Sequence, residues 1–190
     1  MIVATNNQGK LKELKEILNS YELYSLKESN IDIDVEENQD TFYGNALKKA
    51  KEIYEISNIP VIADDSGLCI TALDNWPGVL THRFLGEQAT DLERNSYILE
   101  KMKNIKNREA KFICNLIYYD GKNIVVGEGA LTGTISFERR GSNGFGFDEI
   151  FELENGKTLA ELLPNEKNTI SARYLATIDL KEKLNGIHIF

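Results

Sequence analysis

The residues Pro60-Val61-Ile62-Ala63 form a short apolar run, and Asp64-Asp65-Ser66-Gly67 follows it without a break. An apolar run that meets Asp, Ser and Gly is typical of a buried strand ending in a turn. Neighbouring side chains on a strand point to opposite faces, so two adjacent carboxylates at its end are costly to bury without partners. We therefore expect one to face a cleft, where it can hold a hard cation such as Mg²⁺, and the other to brace the loop or take up a proton. A plain turn is the alternative.

The N-terminal stretch has a similar order of strand, polar loop and helix. The short apolar run 2–4 precedes the loop Thr5-Asn6-Asn7-Gln8-Gly9, and apolar residues then recur at helical spacing over 10–19. Backbone N–H groups at the start of such a helix bind phosphate, and Lys10 adds a positive charge. The loop lacks the spacing of a P-loop, and a plain helix cap with a solvated lysine is the alternative.

The remaining pattern predicts an α/β fold with a mixed sheet. Asp120-Gly121 is a strong hairpin signal between two apolar runs, which makes the centre antiparallel, while the ends of the chain resemble βα units. Strands are predicted at 21–26, 60–63, 110–119 and 123–131, and helices at 41–57, 90–102 and 167–184, with a short helix from 158 that ends near Pro164. The segments 75–86 and 139–147 are predicted loops.

Three further groups of residues could take part in chemistry. Glu36 and Glu37 could complete a metal site with Asp65, although taken alone they are better explained as a solvated acidic loop. In Gly144-Phe145-Gly146-Phe147-Asp148, the rings can stack on a purine and the carboxylate can bind ribose or base, or the rings can fill the core. Lys167 and Arg173 are placed near the start of the last helix, where they either reach one ligand or are surface cations.

Composition limits the classes of function. The 190 residues carry a formal charge of −8, which disfavours a general nucleic-acid binder, and the chain has the length of one large domain. No apolar run is long enough for a membrane span. The two cysteines, Cys69 and Cys114, are isolated in apolar stretches, which is typical of buried free thiols in a reducing compartment, so we expect a cytoplasmic protein.

Five short motifs in one order resemble the inosine triphosphate pyrophosphatase family, also called XTP/dITP diphosphatases. The resemblance covers the chain from Val3 to about Ala176. The motifs are Thr5-x-Asn7-x-x-Lys10, Ala63-Asp64-Asp65-Ser66-Gly67-Leu68, Pro77-Gly78-Val79, Gly144-Phe145-Gly146-Phe147-Asp148-x-Ile150-Phe151 and Glu166-Lys167-x-x-Ile170-Ser171-x-Arg173.

The resemblance implies one catalytic domain over residues 1–190, with a two-lobed α/β fold, a long mixed sheet and the nucleotide in a central cleft. It implies hydrolysis of ITP, dITP and XTP to the monophosphate and pyrophosphate with Mg²⁺, so that deaminated purines are kept out of DNA and RNA. Most members of the family are homodimers, and the implied partner is the nucleotide, with no nucleic acid or membrane.

The family motifs also imply roles for individual residues. Asp65 would bind Mg²⁺ and act as the general base, with Asp64 beside it. Glu36 would match the second metal ligand best, and Glu37 is the neighbour that could replace it. The triphosphate would lie on Thr5, Asn6, Asn7, Gln8, Gly9 and Lys10, with Ser66 touching the substrate. Base and sugar would contact Phe145, Gly146, Phe147, Asp148, Lys167, Ala172 and Arg173.

The chain departs from the family pattern at three places. Asn6 and Gly44 stand where the family usually has Gly and Glu, and Ala172 stands where it usually has a histidine that contacts the purine. Because Ala172 lacks the purine contact of that histidine, we expect weaker selectivity for the base. His82 occupies a position where the family usually has Ala, and it is either a loop or interface residue or a replacement for the missing contact to the base. Two alternatives to this function are a house-cleaning pyrophosphatase for other nucleotides, like the Maf proteins, and a nucleotide-binding module without turnover.

Overall fold

The computed structural model describes residues 1–86 and 88–186, so residues 87 and 187–190 of the predicted domain lie outside the described part. The strands are β1 (Ile2–Val3), β2 (Tyr24–Ser25), β3 (Val61–Ile70), β4 (Trp76–Pro77), β5 (Glu109–Tyr119), β6 (Ile124–Ile135) and β7 (Phe151–Glu152). The helices are α1 (Gln8–Ile17), α2 (Phe42–Ser57), α3 (Asp91–Lys101), α4 (Pro164–Lys167) and α5 (Ala172–Gly186). Short 3₁₀ turns cover Thr71–Leu73, Gly78–Leu80 and Leu159–Glu161.

The sheet is mixed, as the sequence predicts, and the α/β class is confirmed. Its strand order is β2-β1-β3-β5-β6-β7, and β4 pairs with β3. β1 runs parallel to both β2 and β3, with Val3 opposite Ser25 and Ile62. β7 runs antiparallel to β6, and β4 antiparallel to β3. No helix among the described residues is long and apolar enough to cross a lipid bilayer.

Side-chain caps explain where three helices begin. The side chain of Asn7 accepts hydrogen bonds from the backbone of Gly9 and Lys10 at the start of α1. Thr41 caps α2, and Thr90 with Glu93 forms the predicted capping box of α3. Each cap satisfies backbone N–H groups that would otherwise lack partners in the first turn, so these starts are encoded locally.

The chain packs as two compact units with separate hydrophobic cores. The first unit comprises Met1–Ser66, Cys114–Gly129 and the chain from Ala172 onward, and the second comprises Gly67–Ile113 and Ala130–Ser171. In the first unit α5 lies directly on β6, because a Cβ at Gly127 or Gly129 would collide with its backbone. The buried core of the first unit contains Ile2, Ala46, Ala50, Ile53, Val61, Ala63 and Ile117. That of the second contains Leu68, Ile70, Ile98, Met102, Phe147, Ile150 and Phe151.

Two predictions about local structure are wrong. The strand does not end at Ala63, because β3 continues through both aspartates to Ile70 and buries them. The last helix does not begin at Lys167, because that residue ends α4 and a turn separates it from α5. The predicted loop 75–86 also contains a short strand and a 3₁₀ turn.

Candidate active site

The loop between β1 and α1 caps the start of α1, and its own side chains accept hydrogen bonds from some of the backbone N–H groups there. The Oδ1 atom of Asn7 accepts from the N–H of Gly9 at 2.9 Å and of Lys10 at 3.2 Å. The hydroxyl of Thr5 accepts from the N–H of Asn7 at 3.1 Å. Asn6, Asn7, Gln8 and Gly9 are exposed, so the loop remains open to an anion that approaches the positive end of the helix.

Asp64 is a buried carboxylate surrounded by positive charge. Its Oδ2 atom lies 2.9 Å from Nζ of Lys10 and 3.4 Å from Nε of Arg173, and its side chain is 2% exposed. Nζ of Lys49 donates to its backbone oxygen at 2.5 Å. Burial alone would raise the pKa of Asp64, but attraction to Lys10, Arg173 and Lys49 outweighs it and holds the pKa well below its usual value. Asp64 is therefore ionised and fixes Lys10 beside the loop.

Asp65 is buried in a different environment. Its Oδ2 atom accepts from Nδ2 of Asn45 at 2.9 Å, and its Oδ1 atom accepts from the N–H of Ser66 at 2.8 Å. Burial raises the pKa of Asp65 to about 6; Lys49 opposes the rise, and the negative charge of Glu37 adds to it. Two adjacent aspartates thus differ in basicity, which is typical of a site that separates a structural charge from a proton acceptor.

The two candidate glutamates have different surroundings. Glu37 lies 2.5 Å from Nζ of Lys49 and interacts electrostatically with Asp65. Glu36 is exposed, its carboxylate accepts from the amide of Asn38 at 3.0 Å, and its backbone oxygen accepts from a lysine of α2. The structure therefore brings Glu37, rather than Glu36, into the electrostatic environment of Asp65.

Arg173 belongs to the same cluster through three partners. Besides Asp64, its guanidinium lies 3.0 Å from the carboxylate of Glu13 on α1 and 3.2 Å from the hydroxyl of Ser66. Although burial lowers the pKa of Arg173, the charges around it raise it above its usual value. Ala172, the preceding residue, is buried at the start of α5.

The second unit holds another predicted group together. Nζ of Lys167 lies 2.5 Å from Oδ2 of Asp148 and 4.3 Å from the centre of the Phe145 ring. The same carboxylate oxygen accepts from the N–H of Phe145 at 2.9 Å. Phe145 is 44% exposed, whereas Phe147 is buried and stacks on Phe84. One ring is thus free to meet a ligand, and the other anchors the loop in the core.

The sequence did not single out three side chains that contact Asp64, Asp65 or Arg173, namely Asn45, Lys49 and Glu13. Asn45 and Lys49 lie four residues apart on α2, so they share one face of that helix. That face contains the apolar residues Ala46, Ala50 and Ile53, and a completely buried Asn among them needs a polar partner. A polar Asn45 on the apolar face of α2 could therefore have been recognised from the sequence. Its partner, Asp65, could not, because that contact depends on how β3 packs against the helix.

Comparison with known proteins points to one family. A family model described as the Ham1 family matches residues 1–183. The chain is 42% identical over 193 residues to a dITP/XTP pyrophosphatase of Clostridium tetani, covering 98% of this chain and 96% of the relative. It is 43% identical over 191 residues to a dITP/XTP pyrophosphatase of Bacillus subtilis, with 97% and 96% covered.

Solved structures agree with the sequence relatives. A Ham1 protein from Coxiella burnetii superposes with a TM-score of 0.91 at 37% identity, covering 97% of this chain and 98% of the other. The Ham1 protein of Staphylococcus aureus gives a TM-score of 0.91 at 36% identity, with 97% of both chains covered.

Proposed function

Since the chain belongs to the Ham1 family, we propose that it hydrolyses non-standard purine nucleoside triphosphates such as dITP, XTP and ITP to the monophosphate and pyrophosphate. The expected family and enzyme class are confirmed by relatives named dITP/XTP pyrophosphatases. These relatives do not favour a Maf-like enzyme for other modified nucleotides. The observation that carries the proposal is the ion pair of Lys10 with Asp64, which fixes a phosphate-binding loop beside Asp65.

Asp65 is the residue that we propose as general base. A carboxylate whose pKa is raised to about 6 is largely ionised at neutral pH and is a better proton acceptor than an ordinary aspartate. It would take a proton from the water that attacks the α-phosphorus, and pyrophosphate would leave. Thr5, Asn6, Asn7, Gln8 and Gly9 would hold the phosphates with Lys10, and Ser66, which touches Arg173, would contact the substrate.

The donor set near Asp65 fits a hard divalent cation, which we propose to be Mg²⁺. Asp65 and Glu37 supply carboxylate oxygens. Burial is the main cause of the raised pKa of Asp65 and the negative charge of Glu37 adds to it, so a cation here would neutralise carboxylate charge that the site disfavours. Among the described residues, no group of three or more His, Cys, Asp or Glu side chains is arranged around a common point. This fits Mg²⁺, which is usually held by one or two carboxylates together with substrate phosphates. When bound, it would neutralise negative charge on the phosphate oxygens.

Glu37 takes precedence over Glu36 in this proposal. Its carboxylate already interacts with Asp65, whereas the carboxylate of Glu36 is exposed and bonded to Asn38. The ion pair with Lys49 holds Glu37 in place and ties the acidic connection, residues 31–40, to α2.

Base and sugar would be bound by the loop of the second unit. We assign contacts with the base and ribose to Phe145, Gly146, Phe147, Asp148 and Lys167. The exposed Phe145 ring supports this assignment, because it offers an aromatic face held over a cation. The family resemblance adds Ala172 and Arg173, of which Arg173 is supported by its bond to Ser66.

The resemblance also supports three broader proposals. Residues 1–190 would act as one catalytic domain, the protein would be a homodimer, and it would work in the cytoplasm on free nucleotides without nucleic acid or membrane as a partner. Cys69 and Cys114 are buried free thiols, which suits a reducing compartment. Light scattering coupled to size-exclusion chromatography measures the oligomeric state.

The direct test is a substrate panel. Purified protein is incubated with Mg²⁺ and ITP, XTP, dITP, GTP or ATP, and pyrophosphate and phosphate are assayed separately. We expect pyrophosphate and the monophosphate, with deaminated purines preferred. Stepwise release of single phosphates would contradict the proposal, and nucleotide binding without turnover would identify a binding module instead.

A further inference from the structure

Both peptide groups of Gly146 are held by side chains of α3. The N–H of Gly146 donates to Oδ2 of Asp91 at 2.7 Å, and its carbonyl accepts from Nδ2 of Asn95 at 3.0 Å. Asp91 and Asn95 are four residues apart and therefore lie on one face of the helix. The helix thus binds the middle of the loop from both sides of a single residue.

The burial of Asn95 indicates that this contact is specific. Asn95 is completely buried, and its Oδ1 atom has no hydrogen-bond partner in the part of the chain that the structure describes. A buried amide oxygen without a partner is unfavourable, so an apolar residue would suit this position better if packing were its only role. The Asn95 side chain donates to the Gly146 carbonyl and also bonds the carboxylate of Glu149, and an apolar residue could supply neither bond.

The loop needs such external support. Gly144 and Gly146 have φ angles of +81° and +64°, in the left-handed region that glycine adopts readily. Glycine is also the residue with the greatest backbone freedom, so a loop with two of them loses much entropy when it is fixed. Phe145 and Phe147 flank Gly146, and one is exposed while the other is buried. The orientation of the exposed ring therefore depends on the peptide groups that α3 holds.

We propose that Asp91 and Asn95 are positioning residues that hold the Gly144–Phe147 loop in its binding conformation and thereby set the affinity for the base of the nucleotide. This inference rests on the proposed function, because it assigns the loop to the base. We call the two hydrogen bonds that Gly146 makes with Asp91 and Asn95 the clamp. The proposal predicts that loss of the clamp weakens binding of the nucleotide and leaves the hydrolysis of the phosphate intact.

Asp91 offers the clearest test, because its side chain is half-exposed and its replacement should not prevent folding. Asp91→Ala removes the acceptor, whereas Asp91→Asn keeps an oxygen at the same place and removes only the charge. Glu100→Ala, which removes an exposed carboxylate from the last turn of the same helix, is the matched control. Amide exchange of Gly146, followed by NMR on ¹⁵N-labelled protein, reports the clamp without any substrate.

We expect Asp91→Ala to exchange the Gly146 amide roughly tenfold faster and to raise KM for ITP roughly tenfold, with kcat within about twofold of wild type. Asp91→Asn should restore most of both values, and Glu100→Ala should change neither. Asn95→Ala should show the same loss of affinity if it folds.

Unchanged exchange in Asp91→Ala would overturn the clamp. Faster exchange with an unchanged KM, or a fall in kcat alone, would overturn its role in nucleotide affinity. If the wild type releases no pyrophosphate from ITP, the proposed function fails together with the kinetic role, while the exchange rates still decide whether the clamp exists.

Discussion

The carboxamide of Asn45 joins Asp65 to the acidic connection before α2. Nδ2 of Asn45 donates to Oδ2 of Asp65 at 2.9 Å, and Oδ1 accepts from the backbone N–H of Gln39 at 2.9 Å. Because both ends of the amide are used, its orientation is fixed, and it offers Asp65 a donor rather than an acceptor. The proposed general base is therefore oriented by a neutral side chain, while the charged groups nearby hold Asp64.

Replacing Asp65 by Asn should remove activity without loss of the fold. The carboxylate would no longer accept a proton or hold a cation, so kcat should fall by roughly 10²-fold or more. Because burial raises the pKa of Asp65, the folded state disfavours its charged form, and the neutral variant should be at least as stable at pH 7. Turnover of ITP and the urea midpoint measure the two effects. Near-normal turnover would show that Asp65 is not the base.

The pair Glu37→Gln and Glu36→Gln distinguishes the two candidate metal ligands. Each change keeps the size of the side chain and removes one negative charge, so each variant is the control for the other. Since the charge of Glu37 acts on Asp65, Glu37→Gln should raise the Mg²⁺ concentration for half-maximal activity by roughly tenfold or more. Glu36→Gln should change it little. The opposite result would assign the ligand to Glu36.

The sequence was most informative where structure is encoded locally. The start of α1 depends on Asn7 and on apolar residues at helical spacing, and the start of α3 depends on a capping box within four residues. Both signals lie within one turn of the helix that they begin, so the loop proposed to bind phosphate could be placed without knowledge of the fold.

Long-range partners explain what the sequence did not predict. Two adjacent aspartates indicated the end of a strand, but β3 continues because Lys10 and Arg173, from distant parts of the chain, compensate the charge of Asp64. The turn after Lys167 was missed for a local reason. Asn168 and Thr169 favour turns over helix interiors, and this outweighs the apolar spacing that suggested one continuous helix.

Asp64→Asn should mainly reduce stability, in a manner that depends on pH. The change leaves Lys10 and Arg173 without their buried partner, which costs about 3–5 kcal/mol at neutral pH. The pKa of Asp64 is lowered in the folded state, so its contribution is complete above the ordinary carboxyl pKa of about 4, shrinks below that value and is lost only as pH falls through the much lower pKa of the folded state. Urea unfolding at pH 7, 5 and 3 should therefore show the same gap to wild type at pH 7 and 5, and a gap that begins to narrow at pH 3. A gap independent of pH would contradict this origin of the stability.

Lys167→Met should weaken binding of the nucleotide more than it slows turnover. The change keeps the aliphatic stem but removes the charge that faces Asp148 and lies over Phe145, so both groups lose the contact that orders them. We expect KM for ITP to rise roughly tenfold, with kcat within about threefold of wild type. Lys103→Met, which removes an exposed lysine paired with Glu100, is the matched control. Adding Asp148→Asn should cost little more, because the two residues act as a pair. Additive losses in the double variant, or a fall in kcat at constant KM, would show that the ion pair of Lys167 with Asp148 does not contribute to binding of the nucleotide base.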